Sequence, residues 1–155
     1  MAGETRWLNR SEMSAWRAYI EGSALLEHLL NRELHTEHGL SMADYEILVR
    51  LSEQPERRMR MSQLANEVAH SKSRVSHQIR RLESIELVER RECPNDGRGV
   101  FAILTDNGTK LLEDAAPTHV EGVRKHLIDL LDEEEQRVLA RVFTRVFAHL
   151  RALEE

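Results

Sequence analysis

Several protein classes are excluded by what this sequence has little of. It holds one cysteine, Cys93, in 155 residues, so no disulfide can form within the chain. Its first residues lack the apolar core of a secretory signal, and no run of about eighteen apolar residues is available to span a membrane. Aromatic residues make up 5% of the chain and charged residues 32%, which is typical of a helical protein with much exposed surface. We therefore expect a protein of the reduced cytoplasm with no membrane partner.

The sequence also lacks the motifs of common catalytic sites. It contains no G-x-S-x-G nucleophile turn and no glycine-rich phosphate loop. Eight histidines raise the question of a metal, but the pairs His35/His38 and His119/His126 have no third ligand at a diagnostic spacing. We therefore predict that the protein is not an enzyme and has no catalytic residues, no metal and no cofactor.

The charge is unevenly distributed along the chain. The whole protein carries a net charge of −5. Residues 57–98 hold ten basic and six acidic side chains, a net charge of +4, so the rest of the chain carries −9. A basic segment within an acidic protein is the expected electrostatic footprint of a surface that faces nucleic acid.

Start and stop signals for helices divide the chain. Asn9–Glu12 has the pattern of a helix start with a capping box, and Gly39 marks the end of this first helix. Ser41–Asp44 predicts the start of a second helix, Thr105 that of a long helix, and Asp132–Glu135 that of the last one. The apolar stripes of the first and last helices are broader than a surface helix needs, which indicates packing against a second subunit.

Smaller elements are predicted between these helices. Arg58–Met61 alternates basic and apolar residues, as a short strand does, and Ser62 is predicted to cap a brief helix. Pro117 falls inside the long helix, where it removes one backbone donor and is expected to cause a kink.

The clearest functional signal lies in residues 71–105. Val75, Ile79 and Leu82 recur with the spacing of one apolar helix face, and the opposite face is polar and basic. Such a face suits the major groove of duplex DNA, where hydroxyl, imidazole and guanidinium groups reach base edges and phosphates.

A β-hairpin is predicted directly after that helix. Residues 87–92 and 100–104 are β-prone, and residues 93–99 supply turn chemistry between them. This places Arg98 at the tip of the hairpin, where it can enter a minor groove, because arginine is favoured by the negative potential there.

These residues resemble a known family. Asp96-Gly97-Arg98, followed after five residues by Leu104-Thr105, fits the pattern D-x-R-x-x-x-x-x-L-T, and Gly108 extends it to L-T-x-x-G. The pattern follows a recognition-type helix and is similar to the MarR family of bacterial transcription regulators. The resemblance implies a mainly α fold with a small β wing, in one MarR-like domain of residues 1–155. Residues 41–105 would form the winged helix-turn-helix, and residues 9–38 and 106–153 would form dimerisation helices from both chain termini.

One position departs from the family pattern. The family usually has glycine where the recognition helix turns into the wing, whereas this chain has Ile85-Glu86-Leu87. A residue other than glycine must adopt an unfavourable backbone angle there or turn differently.

The predicted DNA contacts lie on the recognition helix and the wing. Ser73, Ser76 and His77 are candidates for base contacts, and Lys72, Arg74, Arg80 and Arg81 for phosphate contacts, although Arg74 or Arg81 can also reach a guanine. The resemblance implies that Arg98 enters the minor groove and that Asp96 holds the wing.

Two regulatory sites are considered. The resemblance implies an effector pocket between the dimer helices and the DNA-binding part, for a small aromatic or phenolic molecule, and its candidate lining is Trp16, Tyr19, His28, Met42 and Tyr45. Cys93 at the base of the wing is a candidate redox sensor, with an ordinary wing cysteine as the alternative interpretation.

The function predicted on these grounds is that of a homodimeric regulator bound to a near-palindromic operator in double-stranded DNA. We expect a repressor that a small-molecule effector releases. The alternatives are a redox-sensing regulator that acts through Cys93 and a dimeric protein–protein adaptor without DNA binding. The operator, the effector, the regulated genes and the choice between repression and activation stay open.

Overall fold

The computed structural model describes residues 4–68 and 72–153, and the side chain of Asp96 lies outside the described part. The elements in chain order are helix α1 (Arg10–His38), helix α2 (Met42–Ser52), strand β1 (Arg58–Arg60), helix α3 (Met61–Glu67), helix α4 (Lys72–Ser84), strand β2 (Val88–Cys93), strand β3 (Asp96–Leu104), helix α5 (Asp106–His126) and helix α6 (Glu133–Ala152). The predicted mainly α fold with a small β wing is therefore confirmed.

Three of the predicted helix starts have capping boxes. The Asn9 side chain accepts a hydrogen bond from the Glu12 amide at 2.9 Å, and the Glu12 carboxylate accepts one from the Asn9 amide at 2.8 Å. The same reciprocal arrangement joins Ser41 to Asp44 and Asp132 to Glu135. Each box satisfies two backbone donors that the first turn of a helix leaves without partners.

The remaining helix boundaries include two corrections. Gly39 ends α1 in the left-handed conformation at φ 69°, as predicted. Ser62, in contrast, does not cap α3, because this helix begins at Met61 with Arg60 at its N-cap and no side-chain cap. The long helix α5 runs through Pro117 and ends at His126, so that the following residues form a separate 3₁₀ turn, Ile128–Leu130.

The three strands form one antiparallel sheet in the order β1-β3-β2. The central strand β3 pairs Ile103 with Arg58 on one side and Leu104 with Val88 on the other. The predicted short strand at residues 58–61 is confirmed as an edge of the wing sheet, which therefore has three strands rather than two.

The chain divides into two compact units at His119, residues 1–119 and 120–155. The core of the first unit takes apolar side chains from the end of α1, from α2, α3 and α4, from the sheet and from the start of α5. Its largest fully buried side chains include Leu34, Leu48, Met59, Ile79 and Leu104. The second unit holds α6, which has no buried residue and keeps Phe143, Val146, Phe147 and Leu150 exposed.

The first half of α1 is exposed as well. Of its 29 residues, only Leu30 and Leu34 are buried, both in the C-terminal half. Met13, Trp16 and Ile20 remain 36–52% exposed along one stripe. In the described part of the chain, no helix combines the length and the apolar character needed to cross a bilayer.

Candidate nucleic-acid interface

Helix α4 separates an apolar face from a polar one, as its sequence predicts. Val75, Ile79 and Leu82 have no exposed surface and anchor the helix in the core. Lys72, Ser73, Arg74, His77 and Arg80 are exposed, and Ser76 is half-buried. These six predicted contact residues therefore share the solvent side of α4. A single α-helix has the width that a major groove admits.

The end of α4 explains the departure from glycine at residue 86. Glu86 adopts φ 62° and takes the position after the helix that glycine usually occupies. Its amide donates to the Glu83 carbonyl and the Leu87 amide donates to the Leu82 carbonyl, both at 3.0 Å, which completes a Schellman motif. The expected unfavourable backbone angle is therefore present, and the turn geometry is kept.

The turn of the wing is shorter than predicted. The sequence placed a turn over residues 93–99, whereas β2 ends at Cys93 and β3 begins at Asp96. Only Pro94 and Asn95 lie between the strands. The paired strands extend closer to the turn than predicted, because cross-strand pairing continues from Glu92–Val100 to Cys93–Asp96.

This pairing leaves Gly97, Arg98 and Gly99 as an irregularity in β3. Glu92 pairs with Val100 and the next residue, Cys93, pairs with Asp96, so three residues of β3 have no counterpart on β2. Arg98 is exposed in the middle of this bulge rather than at the hairpin tip, which corrects its predicted place. A bulge re-aims the side chain that it carries, and here the two glycines flank the arginine.

A basic cleft lies between α4 and the wing. It has a volume of about 350 Å³ and is lined by Arg60, Met61, Ser62, Lys72, Ser76, Arg90, Arg98, Gly99 and Val100. Among the described residues of this lining, four side chains are cationic and none carries a carboxylate. A cleft with charges of one sign concentrates the potential that attracts a phosphate backbone.

Sequence reasoning missed three polar members of this cleft. Arg60 and Ser62 come from the strand and helix that precede α4, and Arg90 comes from the wing strand. The signal that could have identified them is the sheet order, which places β1 beside β3 and so brings Arg60 next to Phe101. Arg90 also donates from Nε to the Glu83 carboxylate at 2.9 Å, which fixes the wing to the end of α4.

Arg81 has a partner that the sequence analysis did not anticipate. Its guanidinium forms an ion pair with Asp44 of α2, whose side chain is 1% exposed. Part of the Arg81 side chain is therefore engaged by the protein while 46% of it stays exposed, and its DNA contact stays a prediction. Asp96 begins β3, and because its side chain lies outside the described part, its role in holding the wing stays a prediction.

The five predicted effector residues do not converge within one protomer. The amide of Met42 donates to Asn31 Oδ1 at 2.9 Å, so the start of α2 lies beside Asn31. Trp16 precedes Asn31 by fifteen residues on the same helix, which corresponds to about 22 Å along its axis. Tyr19 is about 18 Å away by the same measure, and both side chains are roughly half-exposed. Trp16, Tyr19 and Met42 of one protomer therefore do not line a single cavity by themselves, and the effector pocket between the dimer helices, with His28 and Tyr45, stays a prediction.

Tyr45 is part of the core. It is 8% exposed and its ring lies 4.6 Å from that of His119, measured between centroids. Burial raises the pKa of the Tyr45 hydroxyl and lowers the pKa of the His119 imidazole. The Nδ1 atom of His119 is buried and has no hydrogen-bond partner in the described structure.

Cys93 is a buried free thiol at the end of β2. Oxidants react with accessible thiolates, so this burial gives the redox interpretation no support. Among the described residues, no group of three or more His, Cys, Asp and Glu side chains is placed to hold a metal ion.

Known proteins share this arrangement. The MarR family model matches residues 40–100. AbsC, a MarR family transcriptional regulator from Streptomyces coelicolor, is 48% identical with a TM-score of 0.92, and the match covers 96% of this chain and 99% of AbsC. Sco3205, a MarR family regulator from the same organism whose crystal structure is in complex with DNA, is 43% identical with a TM-score of 0.93 over 96% of this chain and 92% of Sco3205. The HTH-type transcriptional regulator MhqR of Bacillus subtilis (strain 168) is 28% identical over 120 residues, 76% of this chain and 78% of MhqR.

These matches extend from the DNA-binding part to the terminal helices, and the proteins concerned are regulators. The alternative of a protein–protein adaptor without DNA binding is therefore set aside. The chain belongs to the MarR family and is a DNA-binding transcriptional regulator rather than an enzyme.

Proposed function

We propose that two copies of this chain form a homodimer that binds a near-palindromic operator in double-stranded DNA and represses transcription. The observation that carries the DNA-binding part of the proposal is the basic cleft between α4 and the wing, which is continuous with the exposed polar face of α4. The protein would act in the bacterial cytoplasm, where the chromosome lies.

The side chains of this surface have different roles in the proposal. Ser73, Ser76 and His77 would read base edges in the major groove, because they present hydrogen-bonding groups on the solvent side of α4. Lys72, Arg74 and Arg80 would bind phosphates and fix the register of the helix on the duplex.

Arg98 would enter the adjacent minor groove. The bulge of β3 holds it between two glycines, so no bulky neighbour in the chain obstructs its approach to the narrow groove. The negative potential of the minor groove favours an arginine there.

Exposed apolar surface supports the homodimer. Met13, Trp16 and Ile20 leave apolar area open on α1, and Phe143, Phe147 and Leu150 do so on α6. Apolar stripes of this kind on long helices are typical of association surfaces. Two recognition helices in successive major grooves would lie about 34 Å apart, one helical turn of DNA.

Release by an effector is the regulatory part of the proposal. A small aromatic or phenolic molecule would bind near the start of α2 and change the spacing of the two DNA-binding parts, which weakens operator binding. Because Trp16 and Tyr19 lie far along α1 from Met42, a pocket that uses all of them needs side chains from both protomers.

The first test is a selection of bound sequences from a random duplex pool. A two-fold symmetric consensus with half-sites one helical turn apart is the expected result. An absence of enrichment would contradict the proposal.

The second test is a single substitution in the wing. Arg98→Ala is expected to weaken binding to the selected operator about tenfold or more, since it removes a charged group from the proposed minor-groove contact. The matched control is Arg91→Ala, a wing arginine that pairs with Glu89 and does not line the cleft. Equal affinities for the two variants in an anisotropy titration would refute the role of Arg98.

A further inference from the structure

One ion pair in this protein is placed unlike the others. Among the described residues, Asp44 is the one buried charged side chain, with 1% of its surface exposed. Its partner Arg81 comes from the recognition helix and is 46% exposed. The other described pairs lie at the surface, where such pairs contribute little.

The carboxylate of Asp44 is fixed from its own side of the fold. Its Oδ2 atom accepts a hydrogen bond from the Ser41 amide at 3.0 Å, and the Asp44 amide donates to Ser41 Oγ at 3.0 Å. Met42, two residues earlier, is tied to Asn31 of α1 by a hydrogen bond of 2.9 Å. The first turn of α2 is therefore a rigid base from which Asp44 holds the guanidinium of Arg81.

Stability alone does not account for this pair. Burying the Asp44 carboxylate is costly even though Arg81 stays 46% exposed, and replacing a buried charge and its partner by apolar groups of similar volume is often neutral or stabilising. What an ion pair adds is direction, because a guanidinium and a carboxylate must meet in a defined geometry. The apolar contacts of Val75, Ile79 and Leu82 determine which face of α4 meets the core. The ion pair adds a directional contact on the flank of the helix.

The rotation of α4 about its axis matters for base reading. Side-chain ends lie about 5–6 Å from a helix axis. A rotation of about 20° would therefore move them by about 2 Å, which is more than a hydrogen bond tolerates. Ser73, Ser76 and His77 lie one to two turns before Arg81 on this helix. A rotation of the helix at Arg81 would therefore displace their side chains as well.

A second tether acts on the same end of the helix. Glu83 accepts from Nε of Arg90 at 2.9 Å and so joins α4 to the wing strand. The C-terminal end of α4 is thus held by α2 on one side and by β2 on the other.

We propose that Arg81 and Asp44 are a positioning pair that sets the rotation of the recognition helix, and that Arg81 acts without contacting DNA. The pair would determine how well the protein distinguishes its operator from other sequences, and would leave the attraction to phosphates unchanged. This proposal rests on the proposed function.

The test uses the full-length protein, the operator obtained by selection and a non-specific duplex of equal length. Arg81→Met alone leaves Asp44 buried without a partner and is expected to lose stability as well. The decisive variant is therefore Asp44→Asn/Arg81→Met, in which no charge is buried and Asn keeps an oxygen that can cap Ser41. The matched control is Arg50→Met, which removes an exposed pair with Glu46 on α2.

Affinities for both duplexes are measured at several salt concentrations, with thermal melting to establish that each variant is folded. The expected result is that the double variant binds the operator about tenfold or more weakly, the loss of a good base contact. Its affinity for the non-specific duplex and the salt dependence of that affinity stay as in the wild type. Arg50→Met is expected to match the wild type throughout.

Two results would overturn the positioning role. If both affinities fall by the same factor and the slope of log K against log salt decreases by about 0.9 for each lost contact, Arg81 binds phosphate directly. If the folded double variant keeps the discrimination of the wild type, the pair does not position the helix. A wild type that binds both duplexes equally would instead refute the proposed function itself.

Discussion

Gly108 provides a sharp test of how the wing is attached to the rest of the protein. It lies in the first turn of α5, and a Cβ atom added there would lie 2.2 Å from the carbonyl oxygen of Leu87 and 2.6 Å from Leu104 Cδ1. Leu87 leads into β2, so the two elements approach each other more closely than any side chain permits. This contact gives a physical reason for the glycine of the L-T-x-x-G pattern.

Two hydrogen bonds depend on this close approach. The Thr105 amide donates to the Leu87 carbonyl at 3.1 Å, and Thr105 Oγ1 donates to the Glu86 carbonyl at 2.7 Å. A Cβ atom at 2.2 Å from the Leu87 carbonyl oxygen is closer than the 3.0 Å that real Cβ contacts keep, so in Gly108→Ala the start of α5 must move by roughly 1 Å, which strains or breaks both hydrogen bonds. Overpacking costs about 1–3 kcal/mol and each hydrogen bond about 1 kcal/mol, whereas alanine gains about 1 kcal/mol in helix propensity. We expect a net loss of about 2–4 kcal/mol in the free energy of unfolding.

Thermal melting at fixed protein concentration measures this loss. For a chain of this size, about 3 kcal/mol corresponds to a decrease in Tm of roughly 6–12 °C. The control is Gly22→Ala in the middle of α1, where a Cβ atom would meet no heavy atom within 4 Å of the described structure. This change is expected to stabilise by about 0.5–1 kcal/mol. If Gly108→Ala were as stable as Gly22→Ala, the reasoning about the close approach would be wrong.

Two further predictions concern the recognition helix and the core. Glu86→Gly is expected to stabilise the protein by about 0.5–1 kcal/mol, because glycine adopts φ 62° without strain. Urea unfolding measures this change. The control is Glu53→Gly at another helix end, where φ is −78° and glycine should be destabilising or neutral. The second prediction is a pH dependence from His119, whose pKa in the folded protein is lowered by burial from 6.5. Since the unfolded chain then takes up the proton first, stability should decrease as the pH falls below about 6.5, and Tm in His119→Phe should decrease less between pH 7.5 and 5. A steeper decrease in that variant would contradict the assignment.

Local signals in the sequence were sufficient for most helix boundaries. Capping boxes at Asn9, Ser41 and Asp132 involve residues only three apart, so the chain close to each start determines it. The buried face of α4 likewise follows from the spacing of Val75 and Ile79. These features could be predicted because the interactions that decide them are local.

The features that the sequence did not reveal depend on partners distant in sequence. Helical spacing showed that Arg81 lies on the flank of α4, but it could not show that Asp44, thirty-seven positions earlier, is buried beside that flank. The place of Arg98 depends on a cross-strand register that continues to Cys93–Asp96, and turn propensities alone do not reveal it. For the effector residues, the sequence does not show which protomer supplies each side chain, and the length of α1 keeps Trp16 far from Met42 of the same protomer.

Charge counts along the sequence likewise do not show which charged side chains are paired, whereas the structure does. Of the ten basic residues in 57–98, at least five pair with acids, so a net charge of +4 does not describe what DNA would meet. The position of the charged side chains on the surface is more informative than their number. Four acidic side chains share a second cleft of about 370 Å³ at the C-terminal end of α4, namely Glu83, Glu86, Glu89 and Asp106.

The basic cleft, in contrast, contains Lys72 at the opposite end of this helix. Lys72 and Glu83 are eleven residues apart, about 16 Å along the axis. The helix dipole adds to this separation, since its positive end lies at the N-terminus beside Lys72. Three of the four acids in the second cleft are paired with arginines, Glu83 with Arg90, Glu89 with Arg91 and Asp106 with Arg57. The attraction for a phosphate backbone therefore comes from the basic cleft at the N-terminal half of α4. Through this local basic surface, a protein with a net charge of −5 can present an attractive face to DNA.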